Sequence, residues 1–172
     1  GIKELNLDFE GNTNIYGDNG AGKTTIFDAF SWLLFGKDSR GSAKFEIKTI
    51  NTIGNIIHGL DHSVEAAILV GEEKITLKKL YKEKWTKKRG SMDKIFDGHT
   101  TDYFVNDVPL KKKEFVARVE EITDEEIFKL LTNPMHFNSL KWEKKRDIII
   151  EIAGNVEDSE VIANNDNLKS LS

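Results

Sequence analysis

Cysteine is absent from the 172-residue chain, so neither a disulfide framework nor a thiolate metal site can form, and an intracellular protein is the expectation. An excess of positive charge is missing too. The net charge of −4 argues against a histone-like coat for nucleic acid, although it leaves room for a local basic patch. Long apolar runs are also lacking: the longest, Ile26 to Phe35, covers 10 residues and is interrupted by Asp28 and Ser31. That is too short to span a bilayer, no signal peptide precedes it, and no membrane partner is expected. Proline occurs only twice.

What is present reads as a soluble globular protein, 38% hydrophobic and 31% charged, long enough for one sizeable domain or a domain with an appendage. The chain opens on Gly1 rather than methionine and runs almost at once into a strand pattern, so a fragment is expected.

Leu5, Leu7 and Phe9 alternate with polar neighbours, which predicts a strand with one face in water; Thr13 to Tyr16 reads as a short buried strand. From Thr24 to Phe35 apolar residues wrap most of a helix, predicting burial on most sides, and Gly36 fits its C-cap. Residues 37–62 read as a long loop holding short strands. Val64 to Val70, Lys74 to Trp85, and a hairpin of Thr100 to Val105 and Val108 to Leu110 around Asn106-Asp107 together predict an antiparallel meander over 63–110. Helices follow over 111–154. One carries Phe115, Val119 and Ile122. A second, capped by Thr123 with Glu126, carries Ile127, Leu130 and Leu131 and is broken by Asn133-Pro134. A last one, capped by Ser139, carries Trp142, Ile149, Ile152 and Ala153 and is closed by Gly154.

Between the second strand run and the first helix lies Gly17-Asp18-Asn19-Gly20-Ala21-Gly22-Lys23-Thr24, of the form G-x-x-x-x-G-K-[ST]. Glycines there let successive N–H groups turn inward into an anion-sized nest, and the following helix adds its partial positive charge. Lys23 is suited to reach the β- and γ-phosphates of a nucleoside triphosphate. The Thr24 hydroxyl suits one Mg²⁺ position, and a side chain at Gly22 would collide with phosphate. Given glycine at about 7% of average usage, the four fixed positions co-occur by chance in well under about one such chain in a hundred.

The wider stretch Tyr16 to Phe30 (YGDNGAGKTTIFDAF), continuing to Leu34-Phe35-Gly36-Lys37-Asp38, resembles the N-terminal Walker A segment of SMC-like ATPases. The similarity is nearest to the SbcC-type double-strand-break repair ATPases and their phage-encoded relatives, with RecF and RecN more distant. It runs loosely over about residues 1–155 and is specific at 14–38. It implies an α/β P-loop NTPase lobe of the ABC/SMC-head type with an attached antiparallel β meander and C-terminal helices. Residues 156–172 would be a peripheral polar segment leading toward a coiled coil. ATP with Mg²⁺ is the implied ligand, held by Asp18, Asn19, Gly20, Ala21, Gly22, Lys23, Thr24 and Thr25, with Lys23 and Thr24 in catalytic roles and Thr24 on the metal. The implied partners are the protein's own C-terminal half, a second head in a homodimer, DNA and an SbcD-like nuclease. The implied setting is DNA repair or recombination, cytoplasmic or at the nucleoid.

The chain departs from that family in two ways. It contains no signature motif or Walker B run, for Ile148-Ile149-Ile150-Glu151 lacks the paired carboxylate, so on its own it is half an active site. The family's Q-loop glutamine should fall near residues 130–138, yet the chain has no glutamine anywhere; Asn133, His136 and Asn138 are the candidate substitutes.

Several further residues carry open readings. Lys74 to Arg89 holds eight cations against the single acid Glu83, which suits either a phosphate-tracking DNA surface around Lys87, Lys88 and Arg89, with Trp85 for stacking, or a solvated edge. Asp28 faces nucleotide or, as we favour, serves the helix. Arg40 touches phosphate or the partner head, or neither. The triad Lys111-Lys112-Lys113 and the acids Glu120, Glu121, Asp124, Glu125 and Glu126 fit solvated faces and caps. His58 and His62 make a poor zinc pair, and the three tryptophans fit packing. Two rivals remain at this level: a scaffold or DNA-binding module using nucleotide as a structural ligand, and a different P-loop enzyme such as a kinase.

Overall fold

In the computed structural model, residues 2–87, 90, 94–152, 154 and 162 are described. The chain divides into two compact units, residues 1–124 and 125–172. In the first, helix α1 (Lys23–Phe35) leads through a long loop into strands β1 (His62–Val70), β2 (Glu73–Lys87), β3 (Lys94–Val105) and β4 (Val108–Leu110), followed by helix α2 (Lys112–Ile122). The strands form one antiparallel sheet in sequence order, a pure meander.

Turn chemistry sets the register. Gly71, at φ +63°, joins β1 to β2, which pair from Val70 with Glu73 to His62 with Tyr81. Asn106 and Asp107 both take positive φ, +48° and +63°, as a type I′ hairpin demands, and pair Val105 with Val108. Between them β2 and β3 pair from Leu77 with Val105 to Lys87 with Lys94, interrupted by a bulge between Glu83 and Trp85.

One sheet face is covered. On β2 the alternate residues Ile75, Leu77 and Lys79 are buried, as are Trp32, Leu33 and Leu34 of α1 and Phe115 and Val119 of α2. Phe115, Leu33, Leu77 and Val119 are the largest fully buried side chains, each contributing about 1.5–3 kcal/mol by leaving water.

The structure corrects several expectations. No strand forms over residues 2–16 among the described residues; Phe9 stays 60% and Tyr16 87% exposed. An alternating pattern yields a strand only where a neighbour completes its hydrogen bonds, and no described strand lies alongside. Helix α1 is buried only at Ser31 to Leu34, its earlier turns being half-buried or exposed. The loop of residues 37–61 holds no strand, only an isolated bridge between Ile50 and Ile56 closed by the Asn51 side chain, which accepts from the Ile53 and Asn55 amides.

The second unit contains α3 (Glu125–Thr132), α4 (Pro134–Ser139) and α5 (Trp142–Ile152). Asn133-Pro134 does end a helix and also begins one. Pro134 starts α4, and the Asn133 side chain caps it by accepting the Met135 amide at 3.0 Å. Ser139 does not cap the last helix; its hydroxyl donates back to the His136 carbonyl at 2.7 Å. The apolar residues Ile127, Leu131, Trp142, Ile149 and Ile152 are exposed, so Trp142 is not a packing residue here, and Ala153 lies outside the described residues. These short helices have no described sheet in their own unit to bury such faces against.

Candidate nucleotide-binding site

The loop Gly17 to Thr24 is exposed along most of its length and turns on glycine. Gly20 and Gly22 sit at φ +85° and +95°, in the left-handed region where a side chain would strain the backbone. Gly22 is the N-cap of α1 and offers no side chain to cap it. The first amides of a helix have no acceptor within it, so this end presents N–H donors and the positive end of the helix dipole. The helix ladder starts one turn on, where the Ile26 amide donates to the Gly22 carbonyl at 3.3 Å. A Cβ at Gly22 would also come within 3.3 Å of the Ile2 side chain. The left-handed φ favours glycine there, with the tip of the Ile2 side chain close beside it.

Lys23 folds back over the loop. Its Nζ donates to the carbonyls of Gly17 at 2.6 Å and Asp18 at 2.8 Å. Ala21 closes the turn beneath by donating its amide to the Asp18 carbonyl at 3.2 Å. Asn19, Thr24 and Thr25 are exposed. A row of donors, a cation and a free hydroxyl is the donor set an anion with a hard metal ion would take; a Cβ at Gly20 would meet nothing within 4 Å, so its glycine answers to φ alone.

In the middle of α1, Asp28 has a structural task. Its Oδ1 accepts the Ser39 amide at 2.9 Å and the Ser39 hydroxyl at 2.5 Å, tying the helix to the turn that follows. That turn is organised by Asp38, a buried carboxylate the sequence reading passed over. Asp38 accepts the amides of Ser42 at 2.7 Å and Arg40 at 3.1 Å, with the Arg40 guanidinium at 3.2 Å. The Ser42 amide foremost, and Arg40 after it, hold its carboxyl below the usual carboxylate range against the opposing effect of burial. Arg40 is thus paired within its own loop while its side chain stays 86% exposed.

The candidate glutamine substitutes lie in the second unit, Asn133 and His136 engaged through their side chains and Asn138 through its backbone carbonyl. Asn133 caps α4, His136 Nε2 lies 3.2 Å from Glu126, and the Asn138 carbonyl accepts from Lys145 at 2.9 Å. Among the described residues no three metal-ligating side chains gather. His58 instead pairs with Glu83 at 2.7 Å, and His62 lies 3.2 Å from the Thr49 hydroxyl.

Three of the six described cations of the basic run are paired with carboxylates of the sheet. Lys78 meets Glu65 at 2.9 Å, Lys84 meets Asp97 at 2.7 Å, and Lys82 pairs with Asp102. Lys79 is not on the surface at all, being 4% exposed. Lys74 and Lys87 stand exposed, while Lys88 and Arg89 lie outside the described residues. Trp85 is half exposed, edge-on to Phe96 and donating to Glu83 at 3.1 Å. Glu83 also accepts the Gly59 amide at 3.1 Å, so this one carboxylate fastens the loop at residues 58–59 to the sheet.

Comparison with known proteins bears on the whole chain. The family model described as AAA domain matches residues 1–170. No curated protein and no solved structure matches the chain. Within the described residues no helix is long and apolar enough to cross a membrane.

Proposed function

The chain belongs to the AAA domain family, an ATPase family, and from that premise we propose that it is the ATP-binding N-terminal half of an SMC-like, SbcC-type ATPase head. The carrying observation is the uncapped start of α1 behind two left-handed glycines, with the Lys23 ammonium over the loop. ATP phosphates would lie against the backbone of Asp18 to Thr25. Lys23 would leave the carbonyls of Gly17 and Asp18 to neutralise phosphate charge, and Thr24 would hold Mg²⁺. The metal supplies charge neutralisation of the phosphoryl oxygens when bound. Hydrolysis requires the carboxylate-bearing C-terminal half and a second head, and the work served is DNA repair or recombination with DNA and a nuclease as partners.

ATP titration of this chain and of Lys23→Ala tests the reading. Loss of a charge-assisted phosphate contact should weaken binding by about tenfold or more. Equal affinity in the two proteins would defeat the assignment of Lys23. Turnover should appear only when the C-terminal half is supplied; none with both halves and DNA present would favour nucleotide as a structural ligand.

A further inference from the structure

Lys79 is the only buried cation among the described residues, and no carboxylate lies within ion-pair reach of it. Its Nζ sits over three aromatic rings, 5.6 Å from the Trp32 and Tyr103 centroids and 5.2 Å from that of Phe115. It donates one hydrogen bond, of 2.7 Å, to the Trp32 carbonyl. That carbonyl belongs to the last turn of α1 and also accepts the Gly36 amide at 2.9 Å. The ammonium therefore meets the negative end of the helix whose positive end forms the phosphate loop.

A methionine in this space would bury similar apolar length without desolvating a charge, and such replacements are often neutral or stabilising. What the ammonium adds is direction. Apolar packing tolerates sliding, whereas a bond to one named carbonyl opposes it. Because α1 is a rigid rod of 13 residues, about 20 Å at roughly 1.5 Å per residue, a slip of its C-terminal end along the sheet carries its N-terminus by the same distance. The bond from Asp28 to Ser39 cannot supply this constraint, since it joins the helix only to its own continuation. We propose that Lys79 is a positioning residue that pins the C-terminal end of α1 to the sheet and so aligns the phosphate loop at the opposite end. The role rests on the nucleotide reading of that loop.

The test compares the whole chain with Lys79→Met, and with Lys79→Gln as a shorter neutral donor. Thermal melting, amide hydrogen exchange without nucleotide, and ATP titration are measured on each. Lys79→Met should melt no lower than the parent, and both variants should exchange the hydrogen-bonded amides of residues 26–30 at least about fivefold faster and bind ATP about tenfold more weakly. Unchanged exchange at residues 26–30 in folded variants overturns the proposal. So does a general loss of melting temperature with exchange raised evenly over the sheet, which would make Lys79 a core residue only. If the parent binds ATP no better than Lys23→Ala, the nucleotide reading fails by itself; the exchange measurement, made without nucleotide, still decides whether Lys79 sets the loop.

Discussion

At Lys79 two effects compete, the aromatic faces and helix end that favour the ammonium and the loss of water that opposes it. Desolvation wins: burial, aided by the Lys112 charge on α2, pushes its pKa down from 10.5 to about 8. Between those values the unfolded chain holds the proton more firmly than the folded one, so this group makes stability rise with pH. Below pH 8 its cost is fully present, and above 10.5 it is gone. Lys79→Met should therefore lead the parent in urea unfolding at pH 7, with the gap closing by on the order of 2 kcal/mol by pH 9.5. A gap independent of pH would show that the core tolerates the charge. Tyr103, raised by burial, and Lys82, raised by Asp102, are present in both proteins. The lysine was hidden in a basic run. The clue lay in the alternation Ile75, Leu77, Lys79, which places it on the core face, but seven neighbouring cations drew it into a surface reading.

Among the elements, legibility followed local chemistry. The meander could be read because its alternation and its turn residues agree, and the Asn106-Asp107 hairpin most clearly because few sequences accept two positive φ angles in a row. Asp107, at φ +63°, is the less suited of the pair, since Asn106 also accepts the Thr76 amide at 2.8 Å. Asp107→Gly should stabilise the chain by about 0.5–1 kcal/mol, a shift visible in thermal melting; a lower melting temperature would mean that the carboxylate contributes beyond the turn. The bulge at Glu83 and Trp85 was not legible, because the one extra residue that β3 carries between Phe96 and His99 is defined only by the pairing of the two strands. Leu5, Leu7 and Phe9 misled for the opposite reason. Their period is that of a strand, but pairing is a property of neighbours, and none is written into the segment. The turn at Gly17 to Lys23 was legible as a glycine loop ahead of a helix, since its glycines sit at positive φ and its lysine folds back on the loop's own carbonyls; its phosphate role is part of the proposed function.

For the molecule as a whole, charge arrangement matters more than the net value of −4. In sequence the cations of β2 look like one basic stripe; in the sheet Glu65, Asp97 and Asp102 stand across from Lys78, Lys84 and Lys82. Exposed pairs of this kind contribute little to stability, but they shorten the range over which their lysines attract a polyanion. The proposed DNA contact should therefore draw unequally on the run. Each phosphate neutralised adds about 0.9 to the salt slope of duplex binding, so replacing Lys87, Lys88 and Arg89 by glutamine should weaken binding and flatten the slope by roughly two to three. Replacing Lys78, Lys82 and Lys84 should change it by less than about one, because each already shares its charge with a carboxylate. Binding titrations at several salt concentrations measure both triples. Equal slopes for the two would show that the cross-strand pairs open on contact with DNA, and no change for the first triple would place any DNA surface away from the end of β2.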